Sequence, residues 1–141
     1  NYMRDWTRLI GKALNYSYER LVEEGKETVE RVLDTIGKYS DPEGADYTLV
    51  GLTAYTASVD DELSPIEIKL IGDVLGIGEK EFHGFVEQVR NDDKIVKELV
   101  DIVECMNEDE LNDFASVLIG IFAVDGKITD EEMAFLKKLC H

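Results

Sequence analysis

Apolar residues recur with a helical period through most of the 141-residue chain. Val29, Val32, Leu33 and Ile36, for example, follow the i, i+3, i+4, i+7 spacing that forms the apolar stripe of a surface helix. No segment of the sequence shows the strict alternation of apolar and polar residues that marks a half-buried strand. The hydrophobic pattern therefore predicts an all-α bundle of about seven to eight helices.

The first 40 residues are predicted to form two helices. The apolar face of the first helix is predicted to contain Trp6, Leu9, Ile10, Ala13, Leu14 and Leu21. We expect Gly25 to interrupt the helix and Gly37 to end the second one. The turn-forming sequence Ser-Asp-Pro-Glu-Gly follows. We therefore divide the chain into a helical N-terminal segment, residues 1–40, and a helical domain, residues 41–141.

A short motif occurs twice, with an offset of 65 residues. Residues 59–68 read VDDELSPIEI, and residues 124–133 read VDGKITDEEM. Each copy places one carboxylate in a tight loop and a second one in the first turn of the helix that follows. Ser64 with Glu67, and Thr129 with Glu132, have the spacing of a capping box, in which the two residues satisfy the amides of a helix start. The motif thus predicts two internal repeats.

Each copy follows a largely apolar helix, predicted at residues 47–58 and 111–124. Helices of this composition belong in the centre of a core. We expect the two halves to pack with approximate two-fold symmetry around this pair, and Gly51 and Gly120 to let the two helices approach closely.

The charge of the chain is unevenly distributed. The formal net charge is −16, yet residues 1–40 carry seven basic and seven acidic residues and are neutral. Residues 41–141 carry eight basic and 24 acidic residues. The resulting field repels nucleic-acid phosphates and anionic lipid headgroups, and it attracts cations or basic protein surfaces. We therefore expect a protein partner and no nucleic acid.

The other chemical signals are weak. Cys105 and Cys140 form no Cys-x-x-Cys pair and fit a reducing cytoplasm. His83 and His141 lack neighbours at zinc-ligand spacing, and neither follows a Glu at the spacing of a di-iron bundle. No catalytic motif or phosphate-binding glycine loop is evident, so the sequence indicates no enzyme. The longest apolar stretch has 11 residues, whereas a membrane span needs about 20. Because the chain begins at Asn1 without a Met, we expect membrane association only through a partner or a segment further upstream.

The second copy of the motif resembles the end of an EF-hand loop. Gly126 stands at the sharp turn, Ile128 at the apolar contact and Glu132 at the bidentate ligand. The first half of such a loop is missing, and Ca²⁺ usually needs about 6–8 oxygens, which argues against an ordinary EF-hand. A site that combines both loops could draw on Asp60, Asp61, Glu67, Asp125 and Glu132. In the alternative interpretation, the glutamates only cap their helices and the aspartates only bond their own turns.

In its two motif copies and their spacing, the chain resembles the TerB-like domain family over roughly residues 45–140. The second copy matches the family motif at Asp125, Gly126, Ile128, Thr129 and Glu132, whereas the first has Asp61 at the glycine position. The resemblance implies an all-helical, pseudo-symmetric fold. It also implies a role in divalent-metal sensing, in tellurite resistance, or in scaffolding stress-response complexes near the membrane. By this resemblance, the metal site would comprise Asp60, Asp61, Glu67, Asp125 and Glu132.

Two hypotheses follow. In the first, the protein is a non-enzymatic, cytoplasmic module that binds a divalent metal ion through its paired acidic loops and relays this state to a protein partner. In the second, it is a metal-independent scaffold that recruits a partner with a basic surface. A metal-dependent enzyme would also need a deep pocket with an open coordination position between the loops.

Overall fold

The computed structural model describes residues 6–59 and 63–140. Within these ranges the chain forms eight α-helices, one short 3-10 helix at Pro42–Gly44 and no strand. The helices are α1 (Thr7–Asn15), α2 (Tyr18–Tyr39), α3 (Ala45–Ser58), α4 (Pro65–Leu75), α5 (Glu79–Asn91), α6 (Asp93–Cys105), α7 (Glu108–Ala123) and α8 (Asp130–Leu139). The predicted all-α bundle of seven to eight helices is confirmed.

Residues 6–39 differ from the prediction in where the helix breaks. The helix continues through Gly25, and the break lies earlier, at Tyr16 and Ser17, where the Ser17 side chain accepts the backbone N–H of Arg20 at 3.1 Å. A Cβ at position 25 would lie only 3.0 Å from a methyl carbon of Val74 on α4. Gly25 therefore permits close packing of α2 on α4, and that packing offsets the cost of a mid-helix glycine, about 1 kcal/mol.

Helices α3 and α7 supply the centre of the core. Each contributes nine buried residues, and in α3 every residue from Leu49 to Ala57 except Tyr55 is buried. They do not pack closely on each other: α3 lies mainly on α5 and α2, and α7 mainly on α2 and α1. A Cβ at Gly51 would meet Leu99 on α6, and one at Gly120 would meet Leu21 on α2. The prediction that these glycines bring the two apolar helices together is therefore wrong.

The repeat is still visible in the packing. Adding 65 to each residue number aligns the range of α3 with that of α7, and the range of α4 with that of α8. The range of α2 is aligned in the same way with most of α5 and α6. The packing of α7 on α2 has its counterpart in the packing of α3 on α5. The relation is incomplete, because α4 packs on α2 whereas α8 has α7 as its main neighbour.

Residues before position 41 share the hydrophobic core of the acidic remainder. Trp6, Ala13, Leu21, Val32 and Ile36 are buried in one cluster with residues from α3 to α8. Polar contacts join the same parts at the surface, since α2 forms salt bridges with α7. None of the described helices is both long and apolar enough to cross a membrane.

Candidate functional site

A cleft of about 730 Å³ lies where the starts of α4 and α8 meet the side of α5. Its wall includes Ser64 and Glu67 from the first motif copy, and Asp125, Thr129 and Glu132 from the second. Residues that are far apart in sequence, and equivalent by the repeat, thus line one depression of the surface. Asp60 and Asp61, the remaining two residues of the predicted site, lie outside the described residues, as does His141.

The two glutamates are held by reciprocal capping boxes, which confirms the helix starts predicted from the sequence. The Ser64 backbone N–H donates to Oε1 of Glu67 at 3.0 Å, and the Glu67 N–H donates to the Ser64 hydroxyl at 3.2 Å. In the second copy, the Thr129 N–H donates to Oε1 of Glu132 at 2.8 Å, and the Glu132 N–H donates to the Thr129 hydroxyl at 3.1 Å. Matching sequences have produced matching local geometry in both copies.

Both capping glutamates are unusually buried for charged residues. Glu67 is 5% and Glu132 7% exposed, although ionised carboxylates are almost never fully buried without compensating partners. The amide hydrogen bonds of the capping boxes supply part of that compensation. A carboxylate offers roughly four acceptor positions, so capping and binding a cation are compatible at the same side chain.

A further capping glutamate, away from the cleft, shows a different way to stabilise such a group. Glu110 on α7 forms a box with Asn107 and also accepts hydrogen bonds from Lys38 and from the Tyr39 hydroxyl, the latter at 2.6 Å. Burial alone would raise the pKa of Glu110, but the hydrogen bonds from Lys38, Tyr39 and the Asn107 backbone outweigh it and lower the pKa to about 2. Here an ammonium group from α2 neutralises the carboxylate and joins two helices.

The loop of the second copy turns sharply at Gly126. Gly126 has φ of 96°, in the region that favours glycine, and its N–H donates to the carbonyl oxygen of Ala123 at 2.9 Å. The turn is thus closed by backbone groups. Asp125 is exposed, and its carboxylate makes no hydrogen bond with a described residue. In the described part of the chain, Asp125 therefore does not serve its own turn as the alternative interpretation supposed.

The cleft also contains basic groups that the motif did not reveal. Arg90 on α5 and Lys127 in the second loop line it, and neither forms an ion pair with a described residue. His83 lies on the same wall, 3.6 Å from Glu79 of its own helix. His83, Val86 and Arg90 share one face of α5 by their spacing, but the sequence offered no sign that this face meets the loops.

The described residues do not by themselves form a complete metal site. Among them, no group of three or more His, Cys, Asp or Glu side chains has an arrangement that could hold a metal ion. Glu67, Asp125 and Glu132 line the same cleft, but they do not form such a group by themselves. Any ligand set in the cleft therefore needs additional oxygens, from outside the described ranges, from backbone carbonyls or from water.

Comparisons with known proteins found no match: no protein-family model, no curated protein and no solved structure corresponds to this chain. The resemblance to the TerB-like family accordingly depends on the two motif copies and their spacing. What the cleft does is inferred from its own residues.

Proposed function

We propose that the protein is a non-enzymatic TerB-like module that binds a divalent cation in the cleft between its two acidic loops. One observation carries the proposal: both buried capping glutamates and the exposed Asp125 line the same cleft, although they come from motif copies 65 residues apart. Carboxylate oxygens are the ligands that hard cations such as Ca²⁺ and Mg²⁺ prefer.

The proposed site is shared between the repeats. Glu67 and Glu132 would supply rigid oxygens, because their capping hydrogen bonds hold each side chain in place. Asp125 is exposed and would supply a further oxygen, and Asp60 and Asp61 are the remaining ligands that the sequence predicts. Backbone carbonyls and water would complete the coordination, as is usual for Mg²⁺ and common for Ca²⁺.

Cation binding would change the surface that a protein partner meets. The cleft lies in the acidic part of the chain, and a bound divalent ion would neutralise part of its negative field. We propose that a partner distinguishes the loaded surface from the empty one, and that this relay serves the stress-response or tellurite-resistance role implied by the family resemblance.

Isothermal titration calorimetry with Ca²⁺, Mg²⁺, Mn²⁺ and Zn²⁺ tests the proposal. We expect saturable binding of at least one ion, and its loss in an Asp60→Asn/Asp125→Asn variant. An Asp34→Asn/Asp46→Asn variant is the matched control, because it removes the same charge from exposed positions that do not line the cleft. Silence for all four ions, or equal losses in both variants, would contradict a site in the cleft.

A second candidate function is favoured by the mixed charge of the cleft. The glutamates already accept amide hydrogen bonds, and Arg90 and Lys127 place positive charge beside them. On this interpretation the protein is a metal-independent scaffold whose acidic surface recruits a basic partner. It predicts an unchanged complex in the presence of a chelator, and a complex that weakens as salt is raised in a pull-down experiment.

A further inference from the structure

A second cavity, of about 480 Å³, lies between α1, α2, α4 and α7, is open to solvent on one side, and shares no lining residue with the acidic cleft. Its wall is largely apolar and includes Trp6, Leu9, Ala13, Leu21, Val74 and Val117. Pockets of about 300–1,000 Å³ that are mostly apolar and carry a few placed polar groups are typical of small-molecule sites. The size and lining of this cavity fall within that class.

The charges around this cavity favour an anion, in contrast to those of the chain as a whole. Two carboxylates line it, but each is paired with an arginine: Glu24 with Arg20 at 2.9 Å, and Asp113 with Arg31 at 3.2 Å. Arg8 and Lys12 lie one turn apart on α1, line the same cavity and form no ion pair with a described residue. Among the described residues, the cavity therefore has two positive charges without an ionic partner at one side.

Trp6, which lines the cavity, also carries a buried polar group without a described partner. Trp6 is only 4% exposed, and its indole N–H donates no hydrogen bond to any described residue. A buried donor without an acceptor is uncommon in folded proteins. The hydroxyl of Thr28, by contrast, is satisfied by a backbone carbonyl of its own helix. The Trp6 N–H is thus a buried donor that no described residue satisfies.

We propose that this cavity binds a small amphipathic carboxylate of the fatty-acid type. The hydrocarbon part would lie among the apolar side chains of α1, α2, α4 and α7. The carboxylate would lie at the side of Arg8 and Lys12, where the charges attract it. This site is independent of cation binding in the acidic cleft, since the two depressions have no residue in common.

Decanoate titration followed by tryptophan fluorescence tests the proposal directly. Trp6 is the single tryptophan of the chain and lines the cavity, so its emission reports on occupancy. We expect a saturable change well below the concentration at which decanoate forms micelles. An Arg8→Gln/Lys12→Gln variant should bind decanoate about fivefold more weakly, which is the effect of losing two partly exposed charge interactions. Its affinity for uncharged decan-1-ol should stay close to that of the wild type.

The control removes two charges elsewhere. A Lys80→Gln/Lys94→Gln variant alters α5 and α6 at positions that do not line the cavity, and it should bind decanoate like the wild type. A Ser116→Leu variant, which places a larger apolar side chain in the cavity from α7, should weaken binding of both ligands, and circular dichroism verifies that it is folded. The proposal is overturned if no saturable change occurs, or if Arg8→Gln/Lys12→Gln leaves decanoate affinity unchanged.

Discussion

The contact of Glu110 with Lys38 and Tyr39 predicts a specific dependence of stability on pH. Glu110 lies on α7 and its two partners on α2, so the contact joins two of the helices that form the core. The pKa of Glu110 is lowered from 4.5 to about 2 in the folded protein, where these hydrogen bonds outweigh the effect of burial. Folding therefore favours the ionised carboxylate, and stability depends on whether that carboxylate is ionised.

The sign and the magnitude follow from the same pKa. A group whose pKa falls on folding contributes its full stabilisation above the unfolded value, near 4.5, and loses it as the pH falls towards 2. At about 1.4 kcal/mol per pKa unit, the upper bound is roughly 3.5 kcal/mol. The Lys38 side chain is 54% exposed, so solvent screens the pair and we expect about 1–2 kcal/mol.

Urea unfolding of the wild type and of Glu110→Gln, at pH 7, 4.5 and 2.5, measures the effect. Glutamine keeps an acceptor for the Asn107 N–H, so the substitution mainly removes the charge. The variant should be less stable by about 1–2 kcal/mol at pH 7, and the difference should shrink steadily between pH 4.5 and 2.5. Glu104→Gln, at an exposed position of α6, is the matched control. A difference that stays constant across this pH range would refute the argument.

Further predictions concern helix packing, capping and one tyrosine. Gly25→Ala should lower the free energy of unfolding in urea, because the new Cβ would lie 3.0 Å from a side chain of α4. Gly11→Ala should raise the free energy of unfolding by up to about 1 kcal/mol, since no described atom lies within 4 Å of a Cβ at position 11. Thr129→Ala should cost about 1 kcal/mol through loss of the α8 cap, with Thr129→Ser close to the wild type in the same assay. Burial and the hydrogen bond to Asp73 raise the pKa of Tyr18 to about 12, so Tyr18 should ionise late in an ultraviolet titration, and Asp73→Asn should lower its pKa. A late-ionising tyrosine that Asp73→Asn leaves unaffected would contradict this assignment.

Local features were predictable because they depend on neighbours in sequence. The capping boxes at Ser64 and Thr129 require only a hydroxyl and a glutamate three residues apart, and both form. Gly126 was predicted at a sharp turn and has the positive φ that such a turn needs. Long apolar periods likewise identified the helices, since they reflect which face of each helix is buried.

Features that depend on distant contacts were not predictable. In the sequence, Gly25 looks like a helix breaker. In the structure it lies within α2, because Val74 of α4 packs where a side chain at position 25 would lie. Likewise, the sequence does not show that the face of α5 with His83 and Arg90 lines the cleft, because the position of this face depends on how α5 packs on α3. Only the tertiary structure shows that the cleft contains basic as well as acidic residues, which is the observation that favours the metal-independent scaffold over the cation site.

We propose that the two motif copies form one cation-binding cleft. Titration of the isotope-labelled protein with Mn²⁺, followed by NMR, measures this most directly, since a bound paramagnetic ion broadens the amide signals close to it. We expect selective broadening of residues 64–67 and 129–132 at the same low ratio of Mn²⁺ to protein. Broadening confined to one copy, or spread evenly over the acidic surface, would contradict a site shared by both.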